Sequence, residues 1–528
     1  MLILQQLSYM HPNRELLFDD LNWVVNNHEK IALIGNNGVG KSTLFRIITG
    51  ALQPSGGQCI VDTEPYYIPQ IFGQYNQLTV AEALGIDRKL RALSEILSGN
   101  VDEDNFTQLN DDWTIEDRCR EALTYWKLED INPEQLMESL SGGQKIKVFL
   151  AGITIHQPEL VLLDEPSNHL DYESRQLLYD FIKSSTLTMI VISHDRTLLN
   201  LLDTTAVLTA ASIRVYGGNY DFYAAQKQIE NNALHQDIQS KEKALRKAKE
   251  KERETLERQQ KLDARGKGKQ EKSGVARIML NTMRNKAENS TSKLKSIHAE
   301  KIGGIAKELQ DLRTTLPDID KMKIGFGTPG LHKGKLQFKT EGLNHRYDQK
   351  WLWKQNIKFE IVSGDRVVIK GANGSGKTTL INCILGNIQP EKGMIQRTEG
   401  KLIYIDQDYS LIDNTITVYE QAQEFNTAAL PEHEIKMRLN RFLFTREDWQ
   451  KSCKSLSGGE RMRLLLCGLT IGNQSPDCII LDEPTNNLDI QNIEILMASI
   501  TEYQGTLIVV SHDMYFLKQI NVDKTIDL

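Results

Sequence analysis

Apolar positions along this chain follow two rhythms. Short runs rich in β-branched residues end abruptly in polar, glycine-bearing turns: Ile31–Ile34 runs into GNNGVGKST, and Val367–Ile369 into KGANGSGKTT. These runs read as strands, and the helical run behind each loop completes a strand, loop, helix order. From Ala225 to Leu316 the rhythm changes: strand-like alternation and proline are both missing, and strong helix formers dominate. Two long helices are predicted there, interrupted by Gly266, Gly268 and Gly274. The second carries Leu294, Ile297, Ile305, Leu309, Leu312 and Leu316 at spacings of three, four and their multiples, a seam suited to an antiparallel partner. About 40 residues of helix at roughly 1.5 Å each would make a hairpin on the order of 60 Å long.

The strand-forming parts are duplicated. IALIGNNGVGKSTLFRIITGALQPSGG recurs as VVIKGANGSGKTTLINCILGNIQPEKG, LSGGQKIKVFLAG as LSGGERMRLLLCG, and LVLLDEPSNHLD as CIILDEPTNNLD. Lys41 and Lys377 stand 336 residues apart and Gln70 and Gln407 stand 337 apart, yet Ser141 and Ser457 are only 316 apart. The first copy therefore holds extra residues between Gln70 and Ser141, near the acidic stretch SGNVDEDNFTQLNDDW. The expected organisation is a first α/β domain over 1–224 with a short arm-like insertion around 88–113, a helical linker over 225–330 with a basic tip near 262–286, and a second α/β domain over 331–528.

Both copies carry GxxxxGK[ST] in the context that motif needs. Gly35, Asn36, Asn37, Gly38, Gly40, Lys41, Ser42 and Thr43, and Gly371, Asn373, Gly374, Gly376, Lys377, Thr378 and Thr379, are the expected phosphate-binding residues. Backbone amides and a helix N-terminus surround phosphate, the lysine neutralises its charge, and Ser42 or Thr378 ligates Mg2+. Asp164 with Glu165, and Asp482 with Glu483, each close a short apolar strand. The aspartate is suited to hold Mg2+ and the glutamate to polarise water for attack on a γ-phosphate.

Composition narrows the class. The six cysteines, Cys59, Cys119, Cys383, Cys453, Cys467 and Cys478, form no CxxC pair and are expected as reduced packing residues. No run approaches the roughly 18 apolar residues of a membrane span, so a soluble, cytoplasmic chain is expected. Formal charge is -7 overall, but residues 241–300 hold 18 Lys or Arg against 9 Asp or Glu, leaving the remainder decidedly acidic. Within 258–286 nine basic residues face two acidic ones. A cationic protrusion on an acidic body favours a polyanion. Ile278, Met279, Leu280 and Met283, interleaved with that charge, suit an RNA surface.

LSGGQ and LSGGE make the chain resemble the ATP-binding cassette superfamily. There the signature serine and glycines at a helix N-terminus bind the γ-phosphate held by the opposite domain, so two ATPs are sandwiched head to tail. The resemblance implies one site with Lys41, Ser42, Asp164 and Glu165 facing Ser457 and Gly459, and another with Lys377, Thr378, Asp482 and Glu483 facing Ser141 and Gly143. It further implies Gln70 and Gln407 as Mg2+-linked glutamines, His194 and His512 as switch histidines, and Tyr9 and Tyr347 as adenine-stacking aromatics.

Two cassettes in one chain, DEPSNHLD and a long charged helical linker resemble the ABC-F family of ribosome-associated ATPases. That resemblance implies tandem P-loop domains joined by a helical hairpin, ATP and Mg2+ as ligands, and a monomer closing its own cassettes. Its partner would be the ribosome, with rRNA and tRNA near the exit and peptidyl sites, and no membrane. Asn487 departs from the family's usual histidine, the insertion is short for a stalk-directed arm, and no coiled coil is expected after the second cassette. A translation factor and an antibiotic-resistance ribosomal protection protein both fit. The ATP-binding subunit of a multi-component transporter and a DNA-repair type ATPase stay open as alternatives.

Overall fold

The computed structural model describes the chain except for residues 101, 271–276, 315–328, 348–349, 473–474 and 487. Contacts divide it into two units, Met1–Tyr223 together with Met322–Leu528, and Ala224–Lys321.

In the first unit each copy builds a mainly parallel sheet. The first sheet runs in the order Tyr66–Ile68, Leu160–Asp164, Thr188–Ile192, Lys30–Ile34, Thr204–Leu208 and Ile213–Tyr216, with only the last strand antiparallel. The second runs Leu402–Ile405, Cys478–Asp482, Thr506–Val510, Arg366–Lys370 and Lys524–Asp527, parallel throughout. The three central strands of each are buried almost end to end, as expected of strands covered on both faces. A three-stranded antiparallel sheet accompanies each, centred on Leu2–Met10 in one copy and on Leu336–Asn344 in the other. Its apolar face closes a core with the phosphate-loop helix, one cluster holding Phe18 and Phe45 and the other Trp353 and Leu380. All six cysteines are free thiols, with Cys59 half-buried and the others buried. Both phosphate loops and both acidic pairs lie at the carboxyl ends of parallel strands, where open α/β sheets place ligands.

The expected insertion forms helices Asp87–Leu97 and Glu103–Leu109, followed by Ile115–Tyr125. Asp112 bonds Lys89 and Arg118, each at 2.8 Å, and closes the polar segment back on itself. The Arg118 guanidinium holds its carboxyl below the usual range.

The second unit consists of helix Tyr220–Gln270, counted from its start in the first unit, and helix Arg277–Thr314. Gly266 and Gly268 do not interrupt the first: it continues through both to Gln270. Each glycine costs about 1 kcal/mol in a helix, and the Lys, Arg, Gln and Ala residues around them carry the helix across. Lys241 pairs with Glu308, and Arg313 with Glu242 at 2.6 Å, which fixes the two helices as neighbours. The seam has a corrected member. Ile302, Ile305, Leu309 and Leu312, spaced three, four and three apart, are shielded, with Leu309 deepest, whereas Ile297 is 54% exposed. His298, half-buried, sits four residues before Ile302, so Ile297 falls one position off the stripe, about 100° around the helix. Gly274 and Leu316 lie outside the described residues, as do the side chains of Leu294, Ile278, Met279, Leu280 and Met283.

Candidate functional site: two nucleotide cavities

The first phosphate loop leaves strand Lys30–Ile34 and enters helix Lys41–Ile48 through Gly40, whose φ is 101°. A Cβ there would lie 2.6 Å from Leu17 Cδ2, so both backbone and space require glycine. Lys41 Nζ donates to Gly35 O at 2.7 Å and Asn36 O at 3.2 Å, and burial lowers its pKa against the opposing pull of Glu165, Asp489 and Asp164. The second loop repeats this: Gly376 has φ 91°, and Lys377 Nζ donates to Gly371 O at 2.9 Å and Ala372 O at 3.3 Å.

The acidic pairs are equally alike. Asp164 is buried at its strand end, and Tyr67 Oη donates to it at 3.3 Å; Tyr404 Oη donates to Asp482 at 3.1 Å. Burial raises both aspartate pKa values. Glu165 and Glu483 each adopt a left-handed backbone, φ 53° and 49°, pinned by N–H bonds to Ile192 O and Val510 O. Strain at the same place in both copies marks a held geometry. Each carboxylate meets a histidine, Glu165 Oε1 lying 3.2 Å from His194 Nε2 and Glu483 Oε1 lying 3.4 Å from His512 Nε2. Burial, helped by Asp164, pushes Glu165 up to about 8, and burial pushes Glu483 up to about 7. Burial and the nearby lysine push His194 down to about 3 and His512 to about 4, so both imidazoles are neutral at neutral pH.

A cavity of about 330 Å³ opens over the first loop, lined by Asn37, Gly38, Gly40, Lys41, Ser42, Thr43, Gln70, Asp164, Glu165 and His194, with His11, Leu17, Asn168 and Ile192. Tyr9 is absent from that wall; it packs against Phe18 and the edge of His11, and His11 presents the ring. Tyr347 is half-exposed, its hydroxyl 3.4 Å from Thr379 Oγ1. Ser42, Gln70 and Asp164 bring a hydroxyl, an amide oxygen and a carboxylate to this cavity. Among the described residues no cluster of three or more His, Cys, Asp or Glu is placed to hold a metal. Such a donor set fits Mg2+ bound largely through phosphates and water.

The second cavity, about 210 Å³, joins the two cassettes. Ser141, Gly142, Gly143, His169, Leu170 and Arg175 come from the first, and Asn373, Gln407, Glu483, Asn486 and His512 from the second. Asn373 Nδ2 donates to His169 O at 3.0 Å, and Lys377 Nζ stands 3.2 Å from His512 Nε2. Ser141 caps helix Gly142–His156 in a reciprocal box with Gln144. A Cβ on Gly143 would stand 2.9 Å from His169 O, so the close approach of that carbonyl requires glycine there. Ser457 caps helix Gly458–Ile471 in the same way with Glu460, yet neither it nor Gly459 lines the first cavity. There the second cassette makes its contact by relay: Gly459 abuts Asn492, Asn492 Nδ2 donates to Asp489 Oδ1 at 2.7 Å, and Asp489 Oδ2 accepts from Asn37 N at 3.0 Å. Asn487 lies outside the described residues.

Asp489, Arg175, Asn168 and His11 went unassigned in the sequence. Its repeat held one signal for them, since Asp171 and Asp489 occupy matching places after DEPSNHL and DEPTNNL and cap matching helices.

The family pattern described as ABC transporter matches residues 18–168 and 354–486, both cassettes. ABC transporter F family member 5 of Arabidopsis thaliana is 30% identical over 545 residues, covering 96% of this chain and 72% of that one. The chain belongs to the ABC-F family. A second ABC-F relative, ATP-binding protein Uup of Haemophilus influenzae, is 31% identical over 97% of this chain and 76% of its own length. The tandem fold also matches a solved complex of archaeal ribosomal stalk protein aP1 with ribosome recycling factor aABCE1, at TM-score 0.61 and 19% identity, over 99% of this chain and 87% of that one. This ABC-F protein is an ATPase, and among its described residues no helix is long and apolar enough to cross a membrane.

Proposed function

We propose that this ABC-F protein is an ATP-driven conformational switch that modulates translation on the ribosome. ATP closes the two cassettes head to tail within one cytoplasmic, monomeric chain. The linker then presents its basic tip to rRNA and tRNA in the exit region, and hydrolysis releases the protein. The observation that carries the motor is the second cavity, where Ser141 and Gly143 share a wall with Gln407, Glu483 and His512. Mg2+, held by Ser42, Gln70 and Asp164 and by Thr378, Gln407 and Asp482, would neutralise phosphate charge. Glu165 and Glu483 orient the attacking water, His194 and His512 fix those carboxylates near the γ-phosphate, and the proposed adenine contacts are Tyr347 and, in place of Tyr9, His11.

The linker's charge supports a polyanionic partner, because a segment with 18 basic and 9 acidic residues stands in a chain of net charge -7. ABC-F membership and a fold neighbour described as a ribosome recycling factor agree with that partner. A housekeeping factor and a protein protecting the ribosome from antibiotics are both covered; a drug-susceptibility panel on a deletion strain separates them.

Co-sedimentation with ribosomes tests the reading. Glu165→Gln with Glu483→Gln should cut hydrolysis by at least about 100-fold, retain ATP, and accumulate on ribosomes. Neutralising Arg265, Lys267, Lys269 and Lys272 should flatten the salt dependence of binding. Absence of ATP-dependent co-sedimentation at every salt concentration would overturn it.

A further inference from the structure

The two nucleotide sites differ by one buried cation. Asp171 and Asp489 cap matching helices, Tyr172–Ser184 and Ile490–Glu502. Four residues beyond each cap the first copy has Arg175 and the second has Ile493. Arg175 is only 7% exposed and lines the second cavity with Asn373, Gln407, Glu483 and His512, all from the other cassette. Its Nε donates to Leu170 O at 3.1 Å, and among the described residues its two terminal nitrogens have no hydrogen-bond partner. Among the described residues no arginine lines the first cavity, and Ile493 is buried.

The two terminal nitrogens are not sealed from solvent; on the cavity wall they are free donors that an anion can complete. Its field reaches across the boundary to Glu483, His512 and Asp513 of the second cassette, as well as to His169 and Tyr179 of its own. The same cavity is where Ser141 and Gly143 leave an anion site opposite the second phosphate loop. A planar fork of donors matches phosphate oxygens in a way that an aliphatic side chain cannot.

We infer that Arg175 of the first cassette is a nucleotide-binding residue of the second site, reaching across the cassette boundary to the terminal phosphate of ATP, and that the first site has no equivalent. The inference rests on the sandwich reading above and deepens it: the two sites are chemically unequal, and the second discriminates ATP from ADP more strongly. ADP lacks the γ-phosphate that the fork would meet, so loss of Arg175 weakens ATP far more than ADP.

The experiment isolates each site. In a Lys41→Ala background, which disables the first site, binding of fluorescent ATP and ADP analogues is measured for Arg175→Met and Arg175→Lys, beside single-turnover hydrolysis. Arg175→Met should weaken ATP by roughly tenfold or more, move ADP by less than about threefold, and lower the hydrolysis rate. Arg175→Lys, which keeps the charge and loses the fork, should fall between Met and wild type. In the mirror Lys377→Ala background, Arg175→Met should leave both affinities unchanged. Equal losses for ATP and ADP, or the same loss in the mirror background, would overturn the assignment and make Arg175 a packing residue. Should Arg175→Met fail to fold, Arg175→Lys against wild type decides by the same ATP-to-ADP ratio. Ser141→Arg in the Lys41→Ala background tests the sandwich separately: if it abolishes ATP binding while Arg175→Met does not, the sandwich stands and this inference fails; if neither matters, both fail.

Discussion

Replacing Glu165 by glutamine should make the nucleotide-free protein more stable, by an amount that grows with pH. Glu165 is buried, its folded pKa is pushed up to about 8, and its ordinary value is 4.5. The sign follows from linkage: a carboxyl whose folded value is raised is protonated in the folded chain and ionised in the unfolded one. Stability is therefore lost as pH rises from 4.5 towards 8. At 1.36 kcal/mol per unit of pH, the penalty is below about 1 kcal/mol at pH 5 and about 3 kcal/mol at pH 7. Glutamine has the same shape and no titration, so Glu165→Gln removes the penalty. Glu483, pushed to about 7, should show a smaller effect that levels off about one pH unit earlier. Guanidinium denaturation of wild type and the two single variants, metal-free between pH 5 and 8, measures this. Parallel stability curves across that range would refute the reasoning, since they would mean that these carboxylates ionise as readily folded as unfolded.

Two further outcomes follow from the cassette geometry. Arg196 bonds Glu494 of the other cassette at 2.7 Å and stacks on Tyr515 with 4.3 Å to the ring centre. A double-mutant cycle of Arg196→Ala and Glu494→Ala on ATP-driven closure should give a coupling of about 0.5–1 kcal/mol, modest because Glu494 is partly exposed, with Arg196→Ala alone costing about 1 kcal/mol more through the lost ring contact; zero coupling would remove the pair from the closing interface. Gly40→Ala forces a Cβ to 2.6 Å from Leu17 at φ 101°, whereas Gly38→Ala, at φ 83°, meets open space. Thermal unfolding should therefore show Gly40→Ala less stable than Gly38→Ala by roughly 1–3 kcal/mol, with ATP binding lost in the former.

The phosphate loops, the acidic pairs and the capping serines were legible in the chain because each is a local device. A glycine spacing, a strand end or a helix cap needs only its own few residues, and here each is written twice. The helical linker was legible for the same reason, through propensity and period. Continuation through Gly266 and Gly268 was not, because two unfavourable positions are outweighed by the residues around them in a helix of 51. The exchange of Ile297 for Ile302 in the seam was hidden too, since spacing gives a stripe and only a partner helix says where its centre falls. The meeting of Ser141 and Gly143 with Glu483 was expected through the family resemblance, but the other contacts between cassettes escaped the sequence. Asn37 and Asp489 are 452 positions apart, and Arg196 and Glu494 are 298 apart. At such separations no periodicity links the partners. The same limit placed His11 rather than Tyr9 on the cavity wall and left Arg175 unnoticed: a lone arginine after a helix cap reads as surface until the folded chain buries it on the wall of a cavity shared with Glu483. Local chemistry is set by short-range backbone geometry and so survives in one dimension. Which charge faces which site is set by how two duplicated domains dock, and only the folded chain decides that.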